Sequence, residues 1–154
     1  MRRPLAALIS IMTIATAQAS PSLVGTWVSS HDLTMAFANK HAKLEERTTH
    51  FLDQIMGRLT LRFDGKRVTS DMPDWDADIG GQRRRLAGFR ETSEYQVLFS
   101  NDHVVVIKGR QQVTGKEVVT VYNFVDKDTM WVYQDSTDKM VPELNIREYF
   151  VRVK

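Results

Sequence analysis

Residues 23–28 read Leu23-Val24-Gly25-Thr26-Trp27-Val28, an apolar run with a glycine two positions before a tryptophan. Glycine inside a strand marks a bend or a close approach of another group. An indole two residues on offers a large ring to whatever closes that end of a sheet. The run therefore predicts a first strand, Leu23 to Ser29, that anchors the strands after it. From Arg58 onward the hydrophobic period is two: Leu59, Leu61 and Phe63 alternate with Arg58, Thr60 and Arg62, and Asp64-Gly65 signals a hairpin into Lys66 to Ser70. Further strands are expected over Arg84 to Glu91, Tyr95 to Ser100, His103 to Gly109, Glu117 to Val125, Thr129 to Gln134 and Asn145 to Val153. Asn101-Asp102, Thr114-Gly115 and Asp126-Lys127-Asp128 supply turns between them.

The expected fold is mainly β, an antiparallel eight- or nine-stranded up-and-down barrel. A meander of this length leaves two open edges unless its last strand pairs with its first, and Ile146 to Val153 is placed to pair with the Trp27 strand. Between the first and second strands, His31 to Gly57 carries helical spacing. Leu33, Phe37, His41, Leu44, Thr48, Phe51 and Ile55 recur at steps of three or four, with Ser30 or Asp32 as N-cap and Gly57 just past the end. One long helix of roughly 35 Å, at 1.5 Å per residue, is the expectation. The alternative is an α+β open curved sheet wrapped around that helix, as in cystatin-like or NTF2-like folds.

The chain opens with the pattern of an export signal. Arg2 and Arg3 precede an apolar or small stretch from Pro4 to Ala17, and Ala17-Gln18-Ala19 is a small-x-small cleavage site. Residues 1–19 are thus expected to be a signal peptide and 20–154 a single mature domain, periplasmic or secreted. The apolar stretch is shorter than the ~20 residues of a membrane span, so no membrane span is expected. The chain has no cysteine, which excludes disulfides and thiolate metal sites. Of 21 Lys and Arg, Arg2 and Arg3 fall in the leader, leaving 19 against 19 Asp and Glu. That balance gives nucleic-acid binding no electrostatic footprint.

Gly25-Thr26-Trp27 in a first strand, with a run of antiparallel strands behind it, resembles the Gly-x-Trp signature of the lipocalin and calycin superfamily. The resemblance implies a barrel whose tryptophan packs at the closed end under an arginine from near the end of the chain, here Arg147 or Arg152. Gly25, Trp27, Arg147 and Arg152 are the implied structural anchors, and a small apolar or amphipathic ligand is the implied cargo. Three features depart from the family pattern, one being that the helix the family carries after its last strand is absent here. Val121 in Thr120-Val121-Tyr122 stands where an aspartate is expected, and a helix occupies the place of the large loop after the first strand.

Chemical motifs are sparse. Asp71, Asp74, Asp76 and Asp78 cluster around Trp75, but a calcium loop begun at Asp74 would need glycine where Ile79 stands and glutamate where Arg85 stands. A solvated acidic loop facing Arg83, Arg84 and Arg85 is expected instead. His41 with Glu45 and His50 with Asp53 are one helical turn apart and lack a third ligand for a metal. No serine carries the neighbours of a nucleophile. No catalytic residue, cofactor or metal site is therefore expected, and the chain reads as a non-enzyme. The strand aromatics support binding: His41, Tyr122, Trp131 and Tyr133 are the residues expected to line a ligand. The other function open to this sequence is a protein-binding module, an inhibitor or envelope-assembly factor, without a ligand cavity.

Overall fold

A computed structural model describes residues 21–110, 115–134 and 146–153. The expected signal peptide lies outside the described residues, as do Thr114 and Asn145. In chain order the elements are β1 (Gly25–Ser29), α1 (His31–His41), α2 (Glu46–Ile55), β2 (Thr60–Phe63), β3 (Arg67–Met72), β4 (Trp75–Asp78), β5 (Arg83–Leu86), β6 (Phe89–Ser100), β7 (Val104–Arg110), β8 (Glu117–Asp126), β9 (Thr129–Gln134) and β10 (Ile146–Arg152). Eight strands close a barrel in the order β1-β10-β9-β8-β7-β6-β3-β2, every pair antiparallel, while β4 and β5 form a separate hairpin. Closure runs through the pairing read from sequence, with Trp27 opposite Arg152 and Ser29 opposite Phe150.

The barrel's two ends differ because the connections differ. At one end, called the narrow end for its short connections and the other the wide end, tight turns join β2 to β3, β6 to β7 and β8 to β9, with Asp64, Asn101 and Asp126 side chains accepting from backbone N–H groups two or three residues on. Trp27, fully buried, fills this end against Phe124, whose ring meets it edge-on at 5.8 Å. With it Leu61, Phe63, Val105, Ile107, Met130, Val132 and Phe150 form one core. Alternate residues of each strand supply this core, as a half-buried strand requires.

The wide end is covered on one side. The segment expected as a single helix is two, broken at residues 42–45. Ala42 is extended, and the break lets Met35 of α1 and Leu52 of α2 both reach Ile146, with Leu44 packed between. One straight helix cannot place both residues on one small barrel end. The break also moves the buried face: Thr34, Met35 and Ala38 are the buried residues of α1, one position off the expected stripe, and Leu33 and Phe51 are exposed. Ser30 is the N-cap of α1. Helix α1 continues along β10 where β1 stops, with the buried Thr34 hydroxyl accepting from the Tyr149 N–H at 3.0 Å.

The expected strand Arg84 to Glu91 is likewise divided. Chain leaves the barrel after Met72, forms the β4–β5 hairpin and re-enters at Phe89, crossing itself at Gly88. A Cβ there would lie 2.0 Å from the Met72 carbonyl oxygen and 2.4 Å from the Pro73 carbonyl carbon, so only glycine fits. The acidic cluster is thereby mostly strand, not loop. Asp76 pairs with Arg83 at 2.8 Å and with Arg85 at 3.6 Å, and Asp74 with Arg85 at 3.7 Å. Arg84 instead donates to the Gln82 side chain. Buried Trp75 secures the hairpin under Phe51 and Arg58, and the Gln54 amide of α2 both donates to and accepts from the Asp78 backbone.

Candidate functional site

Three groups of residues come together, and the sequence-predicted site residues divide among them. The first is the narrow-end plug. Arg152, of the two candidate arginines, lies over Trp27, its Cζ 4.1 Å from the ring. Its guanidinium donates to the carbonyls of Val24 at 2.6 Å and Ser22 at 2.7 Å, reaches that of Lys127, and pairs with Asp128 at 3.4 Å. Trp27 Nε1 donates to the Leu23 carbonyl at 2.7 Å. Gly25 takes φ 127°, and a Cβ on it would meet the Arg152 guanidinium at 2.8 Å. The glycine of the Gly-x-Trp pair is thus required by its positive φ, and the Arg152 guanidinium takes the space a side chain would fill.

The second group is a cavity of about 270 Å³ in the uncovered half of the wide end. Its apolar wall is Leu59, Val68, Phe89, Ile107 and Val118, and Ser70, Ser93, Tyr95, Thr120 and Tyr122 bring hydroxyl-bearing side chains to it. Glu91 and Arg110 line it as well. The strand registers set this lining: Ser93 opposes Val68 and Glu91 opposes Ser70 across β3 and β6, while Ile107 opposes Thr120 and Gly109 opposes Val118 across β7 and β8. Gly109 leaves the wall open where a side chain would fill it. Burial pushes the Tyr122 phenol above its ordinary range, and that of Tyr95 more mildly, so both are neutral hydroxyls at physiological pH.

Next to the cavity, under the helices, Glu148 is buried at 5% exposure. Ser29 Oγ donates to its Oε1 at 2.6 Å, the Gln134 amide donates to its Oε2, and Ser29 in turn accepts from the Gly57 N–H at 3.0 Å. Burial raises the Glu148 carboxyl above the usual carboxylate range, and the two hydrogen bonds offset part of that rise. Ser29 thereby ties the floor of the helical cover to β10.

The third group lies outside the barrel. Trp131 and Tyr133 alternate with core residues Met130 and Val132, so they stand on the outer wall, not in the lumen. There they surround Arg147 together with Phe37 of α1, on which the exposed His41 ring stacks at 4.6 Å. Of the four residues expected to line a ligand, the structure therefore brings only Tyr122 to the cavity. Both faces of β9 are apolar, and its sequence alone did not say which face turns inward. Sequence reasoning missed Ser70, Ser93, Thr120 and Val118. The available signal was their parity with Tyr95 and Tyr122, once strand pairing is known.

A second hollow of about 470 Å³ lies between α2 and the turn after β4, bordered by Glu45, Arg47, His50 and Asp78 with Phe51 and Ile79. Charges of both signs dominate its border. Among the described residues no three His, Asp or Glu side chains converge as a metal site, and no helix is long and apolar enough to cross a membrane. No family model, no curated protein and no solved structure matches this chain.

Proposed function

We propose that this protein is a lipocalin-like carrier or sensor that binds a small amphipathic molecule in the uncovered half of its barrel. The observation that carries the reading is an open pocket at the wide end of a closed antiparallel barrel, lined by five apolar and five hydroxyl-bearing side chains together with Gly109, Glu91 and Arg110. Ligand sites are concave, mostly apolar, and carry a few polar groups that fix orientation. The volume of about 270 Å³ falls just under the ~300–1,000 Å³ range of drug-sized ligands, so a compact molecule is favoured over a long acyl chain. The plug formed by Gly25, Trp27 and Arg152, opposite the cavity, supports the lipocalin-like reading. The expected leader at residues 1–19 adds export to the periplasm or beyond, and N-terminal sequencing of exported protein beginning at Ser20 is the corresponding check.

Binding is tested with the neutral fluorescent probe N-phenylnaphthylamine. Wild-type protein should enhance its emission saturably. Val118→Trp, which fills the cavity from its wall, should abolish the enhancement. Val119→Trp, one residue on and facing solvent at 58% exposure, should leave it intact. Equal behaviour of the two variants, or no saturable enhancement by wild-type protein, would overturn the reading.

A further inference from the structure

Arg147 and Arg152 lie on the same strand and both stack on a tryptophan, yet among the described residues only Arg152 has a carboxylate partner. Arg152 is surrounded by carbonyl oxygens and Asp128. The Arg147 guanidinium instead sits 4.0 Å from the Trp131 ring and 4.5 Å from that of Phe37, with Tyr133 at 5.7 Å. Its Nε is buried with no hydrogen-bond partner, and among the described residues no carboxylate lies within ion-pair distance of it. Burial works against its charge, but hydrogen bonds to the phenol oxygens of Tyr133 and Tyr149 outweigh that and raise it above the ordinary arginine range.

A guanidinium between aromatic faces is desolvated above and below, which strengthens any anion that reaches its edge. Its planar fork matches a carboxylate better than a lone ammonium does. The wall around it is apolar and exposed: Tyr133 is 56% accessible, Val121 42% and Phe99 53%. Val106 joins the last two as their cross-strand partner. A free inorganic anion leaves that wall wet, whereas a protein segment covers it. Trp, Tyr and Arg at the centre of an apolar patch are also the side chains that dominate binding energy at protein interfaces.

We propose that the outer wall centred on Arg147 docks a partner protein whose contacting segment carries a carboxylate beside apolar side chains, the carboxylate pairing with the Arg147 guanidinium. This surface lies on the opposite side of the barrel wall from the lumen, so its occupation is independent of the ligand cavity.

The test selects random phage-displayed peptides on the immobilised protein and measures the enriched peptides by fluorescence polarisation. Enriched sequences should share an Asp, a Glu or a free C-terminal carboxylate next to Leu, Phe or Trp. Arg147→Met should weaken their binding by about tenfold or more, the size of a hot-spot loss. Replacing the peptide's acid by its amide should weaken it comparably. Tyr133→Ser guards against misfolding as the cause, since that side chain is largely exposed, and should weaken binding severalfold. The proposal fails if selection enriches no acidic peptide, or if binding ignores both Arg147→Met and Tyr133→Ser. It fails in favour of a simple anion site if sodium acetate competes as well as the peptide does. It fails in favour of self-association if sedimentation shows a dimer that Arg147→Met dissociates.

Discussion

Replacing Trp27 by alanine tests the narrow-end plug. The indole is fully buried, meets Phe124 edge-on, lies under Arg152 and donates Nε1–H to the Leu23 carbonyl. Truncating a buried large aromatic costs about 3–5 kcal/mol, because the cavity left behind adds to the lost transfer energy. The Arg152 stack contributes about 0.5–2 kcal/mol of the same total. Against a typical domain stability of ~5–15 kcal/mol, the loss is a large fraction of the whole. In a domain of this size it should lower Tm by roughly 10–20 °C. Urea melts followed by circular dichroism measure it, and the midpoint should fall with the slope unchanged. Trp27→Phe should recover part of the loss, keeping a ring against Phe124 but leaving the Leu23 carbonyl without its indole partner. A loss below about 1 kcal/mol for Trp27→Ala would refute the plug, since no buried indole at a barrel end is that cheap to remove.

Gly88→Ala should destabilise by about 2–4 kcal/mol, since its Cβ meets backbone and not a movable side chain; Gly80→Ala, with nothing near its Cβ but φ 65°, should cost only about 1 kcal/mol of backbone strain in the same thermal melts. Glu148→Gln should raise Tm at pH ~8 more than at pH ~4, because a carboxyl raised in the folded state contributes stability below its unfolded pKa that is lost as pH rises through the folded value. The Gln134 amide can turn over to accept from the new one, so the hydrogen-bond set survives, and a Glu148→Gln melt with unchanged pH dependence would show that the carboxyl is not held up by burial.

The barrel was legible in the sequence because its decisive features are local. Period-two alternation after Arg58, Asp-Gly and Asn-Asp turns, and a β-forming last strand each specify a piece of one meander, and closure follows from its two free edges. The helix break and the β4–β5 excursion were not legible for the same physical reason: each is set by a long-range contact. Ala42 ends α1 without glycine or proline, because Met35 and Leu52 converge on Ile146 from far along the chain. Gly88 reads as an ordinary strand glycine until Met72 and Pro73 are seen against it. The candidate site suffered most. Choosing between Tyr122 inside and Trp131 outside needs the inward parity of two apolar-faced strands, and that parity is a property of pairing, not of either segment.

The uneven cover of the wide end connects fold to function. Helices α1 and α2 pack on Ile146 and reach the barrel through Ser29, Thr34 and Glu148, all on the β1 and β10 side. Strands β3, β6, β7 and β8 keep their wide-end residues uncovered by those helices, and there the inward positions beyond Phe63, Val105 and Phe124 include Ser70, Glu91, Ser93, Gly109 and Thr120 beside Phe89 and Val118. A filled barrel would continue large apolar residues to its rim. Small and hydroxyl-bearing side chains at inward positions cost packing and burial energy unless something else occupies the space. Their concentration on the one half that the helices leave open is the arrangement expected of a site kept accessible, and it is why Val118→Trp and Val119→Trp, neighbours in sequence, should behave oppositely.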